Sequence, residues 1–209
     1  MTTPLGTFDV AAREGRRVTV ARLTRETDIA VTLDLDGTGA ANVRTGVGFL
    51  DHLLVSFAHH GVFDLAVRAT GDLQVDEHHT VEDVAIVLGA ALAESLGDRA
   101  GIVRFGEASV PMDEALATAV VDVGGRPYAV VDLPFRGERV GALPTQLVEH
   151  ALEAFARTSG TTLHLRGTGR NDHHLAEAAF KALARALRAA VAEDPRRAGA
   201  VPSTKGSLG

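Results

Sequence analysis

The sequence predicts an α+β protein made of two tandem copies of one β-β-β-α-β-α unit, its sheets covered by helices on one face. Three observations carry this: the chain matches itself when displaced, apolar residues alternate in some segments, and they recur at helical spacing in others. At an offset of 98 residues, His52 falls on His150 and Phe57 on Phe155; Leu65, Val67, Arg68, Thr70 and Gly71 fall on Leu163, Leu165, Arg166, Thr168 and Gly169. After a three-residue difference in length, His78-His79-Thr80-Val81-Glu82 falls on His173-His174-Leu175-Ala176-Glu177 at an offset of 95. Upstream, Glu26 through Gly37 matches Glu114 through Gly125 at an offset of 88, sharing Glu, Asp and Gly.

Taken in chain order, Met1 to Gly15 reads as an irregular leader. Ile29, Val31, Leu33 and Leu35 then alternate with Ala30, Thr32, Asp34 and Asp36, the mark of a strand with one buried face. Val47 to His60 reads as a helix and Phe63 to Thr70 as a second alternating strand. Val81, Val84, Ala85, Leu88, Leu92 and Leu96 recur at the spacing of one helical face. The second copy repeats this order and ends in an Ala-rich helix from about Asp172 to Ala192, closed by Asp194-Pro195. The expected boundaries are 16–100 for the first repeat, 101–195 for the second, together one compact subunit, and 196–209 for a polar tail.

Composition narrows the function classes. Hydrophobic residues make up 45% of the 209, and charged residues 23%, as in ordinary globular proteins. No apolar run approaches the ~20 residues of a membrane span, and the N-terminal stretch lacks the apolar core of a signal peptide, so a cytoplasmic protein is expected. With no cysteine, any metal must be held by nitrogen and oxygen. A net charge of −6 argues against a general nucleic-acid partner.

Nine histidines, most of them clustered, stand out in this composition. In a helix, positions three and four apart share a face, so Glu82 lies one turn from His78 and His79, and Glu177 one turn from His173 and His174. Adjacent histidines diverge by about 100° around a helix, so each pair should serve two different metals. With the mirrored His52 and His150, the two motifs offer six imidazoles and at least two carboxylates, enough for two octahedral-type sites completed by water or substrate, and suited to Mn²⁺ at least as well as Zn²⁺. A lone His pair at a helix start is more often a solvated cap than a ligand set. Duplication reverses that, because six histidines and two glutamates coincide between copies whose apolar positions have diverged. His59, His60 and His164 have no counterparts and read as surface or capping residues. Gly46-Val47-Gly48 and Gly167-Thr168-Gly169 lack the third glycine of a dinucleotide-binding fingerprint, and no P-loop is present.

The motifs Thr24-Arg25-Glu26-Thr27, Phe49-Leu50-Asp51-His52, His78-His79-Thr80-Val81-Glu82-Asp83, Pro111-Met112-Asp113-Glu114, Gly125-Arg126-Pro127-Tyr128, Asp172-His173-His174-Leu175-Ala176-Glu177 and Val201-Pro202-Ser203-Thr204-Lys205-Gly206 together resemble the imidazoleglycerol-phosphate dehydratase family over nearly the whole chain from Val18. The resemblance implies tandem ferredoxin-like units, a hollow homo-oligomer of 24 subunits, and a site of two Mn²⁺ ions where subunits meet. It implies a hydro-lyase of histidine biosynthesis acting on imidazole glycerol phosphate to give imidazole acetol phosphate. Arg104, Arg126, Ser203 and Lys205 match the family's phosphate contacts, and the match of the Val201 to Gly206 segment suggests a tail that orders over bound substrate.

Such a dehydration is difficult because hydroxide leaves poorly and the neighbouring C–H is scarcely acidic. A metal-bound ring that loses its proton becomes an electron-rich imidazolate, able to expel the hydroxyl beside it and give a diazafulvene; the next carbon then yields its proton to a carboxylate, leaving an enol that becomes the ketone. Glu177 is the expected principal base, with Glu26 the second acid–base candidate and, by the resemblance, also a substrate-binding residue. The alternative expectation is a non-catalytic oligomeric protein that binds metal through the same histidines, which accounts for the ligands and leaves the phosphate-binding set unexplained.

Overall fold

The computed structural model describes residues 6–197 and 199–208. Its elements follow in the order β1 (Phe8–Glu14), β2 (Arg17–Leu23), β3 (Thr27–Asp34), β4 (Ala41–Arg44), α1 (Gly48–Gly61), β5 (Asp64–Gly71) and α2 (His78–Leu96), then β6 (Phe105–Met112), β7 (Ala115–Asp122), β8 (Tyr128–Asp132), the short β9 (Arg139–Val140) and β10 (Leu143–Pro144), α3 (Thr145–Ser159), β11 (Thr162–Thr168) and α4 (Asp172–Val191). The two larger sheets have strand orders β1-β2-β3-β5-β4 and β6-β7-β11-β8, and β9 and β10 form a separate antiparallel pair. Leaving out β1, the two orders are the same, and in both the last pair is parallel while the others are antiparallel. The ends of β3 and β7 differ by 88 residues at both termini, and β5 and β11 begin 98 apart, the offsets of the sequence match.

Alternation sends one face of each central strand inward. Ile29, Val31 and Leu33 of β3 are buried, as are Ala117, Ala119 and Val121 of β7. All four helices lie between the sheets and pair across the halves, α1 with α4 and α2 with α3, while α2 covers the first sheet and α4 the second. Two glycines let backbones approach closely. A Cβ at Gly106 of β6 would stand 2.0 Å from the Ala186 carbonyl oxygen of α4, and one at Gly89 of α2 would stand 2.7 Å from the Phe155 carbonyl oxygen of α3. A larger residue would push β6 from α4 at Gly106 and α2 from α3 at Gly89.

The leader is not irregular where it is described. Phe8–Glu14 forms β1, an antiparallel edge strand on β2 with a register shift between Val10 and Ala12, whereas the leader's first five residues lie outside the described part. Every residue of β1 is exposed, so it is held by backbone hydrogen bonds and leaves no burial pattern in the sequence to detect. The tail begins packed rather than free. Gly101 N donates to the Ala200 carbonyl at 3.0 Å, Arg104 Nη1 donates to the Pro202 carbonyl at 2.8 Å, and Pro202 is buried.

Buried Asp83 of α2 accepts hydrogen bonds from Arg22 of β2 and from the Thr27 hydroxyl of β3, tying the helix to the sheet beside it. Removing one member of a buried ion pair leaves the other uncompensated, at a cost of about 3–5 kcal/mol. Asp83→Ala is therefore expected to lower unfolding free energy by that amount in urea titrations of metal-free protein. A loss under 1 kcal/mol would mean that the pair contributes no more than a surface one.

Candidate metal centre

Both His-His-x-x-Glu motifs open a helix whose first turn is capped. Asp76 Oδ1 accepts from His78 N at 2.8 Å, and Asn171 Oδ1 accepts from His173 N at 3.0 Å, which fixes the register that sends each Glu back over its own histidine. Helix pairing then brings in a third group from the other half of the chain. α1 against α4 joins His52 to His173 and Glu177; α2 against α3 joins His150 to His78 and Glu82. In each cluster the three ligand atoms lie within 4.8 Å of one another. The lone histidine comes from one half and the His-x-x-x-Glu pair from the other.

In the first cluster, Glu177 Oε1 lies 2.8 Å from His52 Nε2 and 2.9 Å from His173 Nε2, while Oε2 receives Lys181 Nζ at 2.5 Å. The Glu177 side chain is only 8% exposed. Burial pushes its carboxyl up, but hydrogen bonds from His52, Lys181 and His173 together outweigh burial and hold it at about 2. Phe49 packs on both imidazoles, with ring centroids 5.9 Å from His52 and 4.9 Å from His173. In the second cluster, His150 Nε2 lies 3.3 Å and Arg157 Nη2 3.4 Å from Glu82 Oε1, and His78 Nε2 lies 4.0 Å from Glu82 Oε2. His150 Nε2 is buried and makes no hydrogen bond despite that proximity. An imidazole nitrogen left without a partner beside a carboxylate and a second imidazole is the donor set that a borderline divalent cation fits.

His79 and His174 belong to neither cluster. Asp72 Oδ2 holds His79 Nδ1 at 3.0 Å, a bond that raises the imidazole's pKa, and Glu114 Oε2 holds His174 Nδ1 at 2.9 Å. Glu26 stands beside the first of these, its Oε2 3.8 Å from His79 Nδ1, on a turn where Thr24 Oγ1 accepts from Glu26 N and Thr27 N. Asp72, Glu114 and Lys181 are the groups around these motifs that sequence reasoning left unassigned. Glu114 carried a signal nevertheless, as the repeat mate of Glu26.

The four phosphate candidates gather at another place. Arg104 Nε and Nη2 donate to Asp122 at 2.7 and 2.9 Å, and Arg126 Nη2 lies 3.6 Å from the same carboxylate. The Arg104 bond to Pro202 brings in the tail, where the Ser203 hydroxyl accepts from Lys205 N at 3.1 Å. Arg104 N also donates to the Ala190 carbonyl at the C-terminal end of α4. Glu177 sits near the opposite end of that helix, about 20 Å away at 1.5 Å per residue. The structure brings together six of the eight proposed ligands in two clusters, leaves His79 and His174 pointing elsewhere, and sets the cationic group apart from both Glu177 and His174. His59 and His60 fall in the last turn of α1, and His164 is exposed on β11.

Comparison with known proteins gives the family and the fold. A protein-family model described as imidazoleglycerol-phosphate dehydratase matches residues 45–187. The imidazoleglycerol-phosphate dehydratase of Methanoculleus marisnigri is 61% identical over 189 residues, covering 90% of this chain and 97% of that protein, and the one of Chloroflexus aggregans is 55% identical over 199 residues, covering 95% and 97%. Among solved structures, the Staphylococcus aureus imidazoleglycerol-phosphate dehydratase superposes with a TM-score of 0.74 at 38% identity, covering 80% of this chain and 95% of that one. IGPD from Pyrococcus furiosus, crystallised in complex with (S)-C348, gives 0.78 at 39% identity, covering 90% and 99%.

Proposed function

Because the chain belongs to the imidazoleglycerol-phosphate dehydratase family, whose members are hydro-lyases, we propose that it converts imidazole glycerol phosphate to imidazole acetol phosphate in histidine biosynthesis, using two Mn²⁺ ions per active site. The observation that carries this reading is the pair of His-His-Glu clusters built across the two halves. Each would hold one ion through three groups, and His79 or His174 of a neighbouring copy would add a fourth. Two positions of an octahedral ion then remain for substrate. A purely structural metal would instead be enclosed by protein ligands, which separates this reading from that of a non-catalytic metal-binding protein.

When bound, the ions supply Lewis-acid polarisation of the ring and the departing hydroxyl. The chain's own groups do the rest. Glu177 would have its carboxylate occupied as a ligand beside His52 and His173, so proton transfer at the carbon next to the leaving hydroxyl, expected first of Glu177, is assigned to Glu26, whose side chain is 55% exposed beside His79. Arg126, Ser203 and Lys205 hold the phosphate, and Arg104 anchors the tail that carries the last two. The ~20 Å of α4 between Ala190, which holds Arg104 N, and Glu177 exceeds the reach of a three-carbon substrate chain, so the phosphate donors would serve the His52–His173–Glu177 cluster of another copy. That reach supports a homo-oligomer, with 24 subunits as the expected assembly.

Chelator-treated protein is expected to lose dehydratase turnover and to regain it with Mn²⁺, while light scattering of the Mn²⁺ form gives a mass many times the 21.9 kDa chain. Full turnover by metal-depleted protein, or by a monomer, would overturn the reading.

A further inference from the structure

The two halves hold their outlying histidines by the same chemistry but with residues from different places in the repeat. In the first half the carboxylate on His79 Nδ1 is Asp72, whose repeat mate at an offset of 98 is Arg170, a residue that cannot accept a hydrogen bond through its side chain. In the second half the carboxylate on His174 Nδ1 is Glu114, whose mate at an offset of 88 is Glu26. A contact merely inherited through duplication would use matching positions. Two independent solutions to one local requirement point instead to a demand placed on the histidine.

We propose that Glu114 and Asp72 are positioning residues that fix the tautomer and ring direction of His174 and His79, so that Nε2 of each is presented as a metal ligand. This rests on the reading of these histidines as ligands. An ionised carboxylate can only accept, so it keeps the proton on Nδ1 and the lone pair on Nε2. Glu114 is itself fixed. It follows Asp113, which has φ of 48° in the β6–β7 turn, and its Oε1 accepts from Arg170 N at 2.9 Å and Asn171 N at 2.7 Å, leaving Oε2 for the imidazole. The division has a second consequence. Because Asp72 occupies His79 in the first half, Glu26 is left 3.8 Å away without that bond, whereas its mate Glu114 is fully engaged. The duplicated glutamate holds its imidazole directly in one half and stands 3.8 Å from it, behind Asp72, in the other.

Glu114→Gln makes a sharp test, because the two backbone N–H groups hold the amide oxygen in the place of Oε1 and force the NH₂ toward His174. A donor there demands the lone pair on Nδ1 and moves the proton to Nε2. Mn²⁺ titration of full-length protein, followed by the electron paramagnetic resonance of free Mn²⁺, should show about 10–100-fold weaker binding at the sites His174 serves. His174→Gln should weaken the same sites, and the melting temperature of Glu114→Gln in EDTA should stay near wild type. Wild-type affinity in Glu114→Gln, with His174→Gln weakened, would overturn the proposal and leave the metal reading intact. Failure of wild-type protein to bind Mn²⁺ would overturn both. Should Glu114→Gln fail to fold, the paired change Asp72→Leu and Glu26→Leu strips both acceptors from His79; unchanged Mn²⁺ affinity there would equally overturn the proposal.

Discussion

Glu26→Gln is expected to lower kcat by about 10²–10⁴ while Mn²⁺ content and KM stay close to wild type. The size of the effect comes from losing a proton acceptor at a C–H of low acidity, and its selectivity comes from where Glu26 sits. Its carboxylate belongs to neither His-His-Glu cluster, and it is not the group that orients His79, which Asp72 holds at 3.0 Å. Gln preserves the volume and the backbone bond to Thr24 Oγ1 that sets the turn. Metal per subunit, KM and kcat measured on one preparation decide the matter. Near-normal kcat with full metal would remove Glu26 from proton transfer, and a parallel loss of metal would make it a ligand or an orienting group.

Glu177→Gln is expected to act on metal and stability together. Glu177 Oε1 is the acceptor on which His52 and His173 converge, and Oε2 neutralises Lys181, itself only 17% exposed on its side chain. A neutral amide offers one acceptor in place of two and leaves Lys181 without its counter-charge. Mn²⁺ affinity should therefore fall by more than the 10–100-fold typical of a lost outer-shell partner, with turnover falling alongside. Metal-free protein should lose about 3 kcal/mol, the lower end for breaking a buried pair, since one hydrogen bond survives. The pH dependence has a definite sign. The folded carboxyl at about 2 lies below its ordinary value of 4.5, so its contribution is fully present above 4.5 and is lost as pH falls towards 2. In urea titrations the gap between wild type and variant should thus be widest near neutrality and close in acid. A gap that widens in acid, or a variant with wild-type Mn²⁺ affinity, would contradict the assignment of Glu177 as an ionised ligand.

Particular residues show where sequence reading worked and where it stopped. The strand containing Ile29, Val31 and Leu33 and the helices opening at His78 and Asp172 were legible because burial of one face imposes a period on the chain. Exposed β1 had no such period. Asp72 and Glu114 escaped assignment because a side chain that reaches a histidine across a loop leaves no spacing rule behind. The ~20 Å between Glu177 and the Arg104 group was invisible for a related reason: sequence motifs list what a site contains, and an assembly can draw those parts from several copies.

By itself the sequence determined the duplication, the central strands and helices of each copy, and the residue types offered as ligands, since identity between copies and local periodicity are properties of the chain read along its length. It also set the expectation that adjacent histidines serve different ions, which is a matter of about 100° per residue in any helix. What it could not determine was which groups meet. No local pattern keeps His52 from the histidines of its own half, yet α1 packs on α4 and α2 on α3, so each lone histidine completes the pair belonging to the other half. Only the tertiary structure decided that pairing, because it depends on which apolar helix faces fit together between segments far apart in the chain, His52 and His173 being 121 residues apart and His78 and His150 72, with Gly89 allowing one of the close approaches, and no local pattern encodes such a fit.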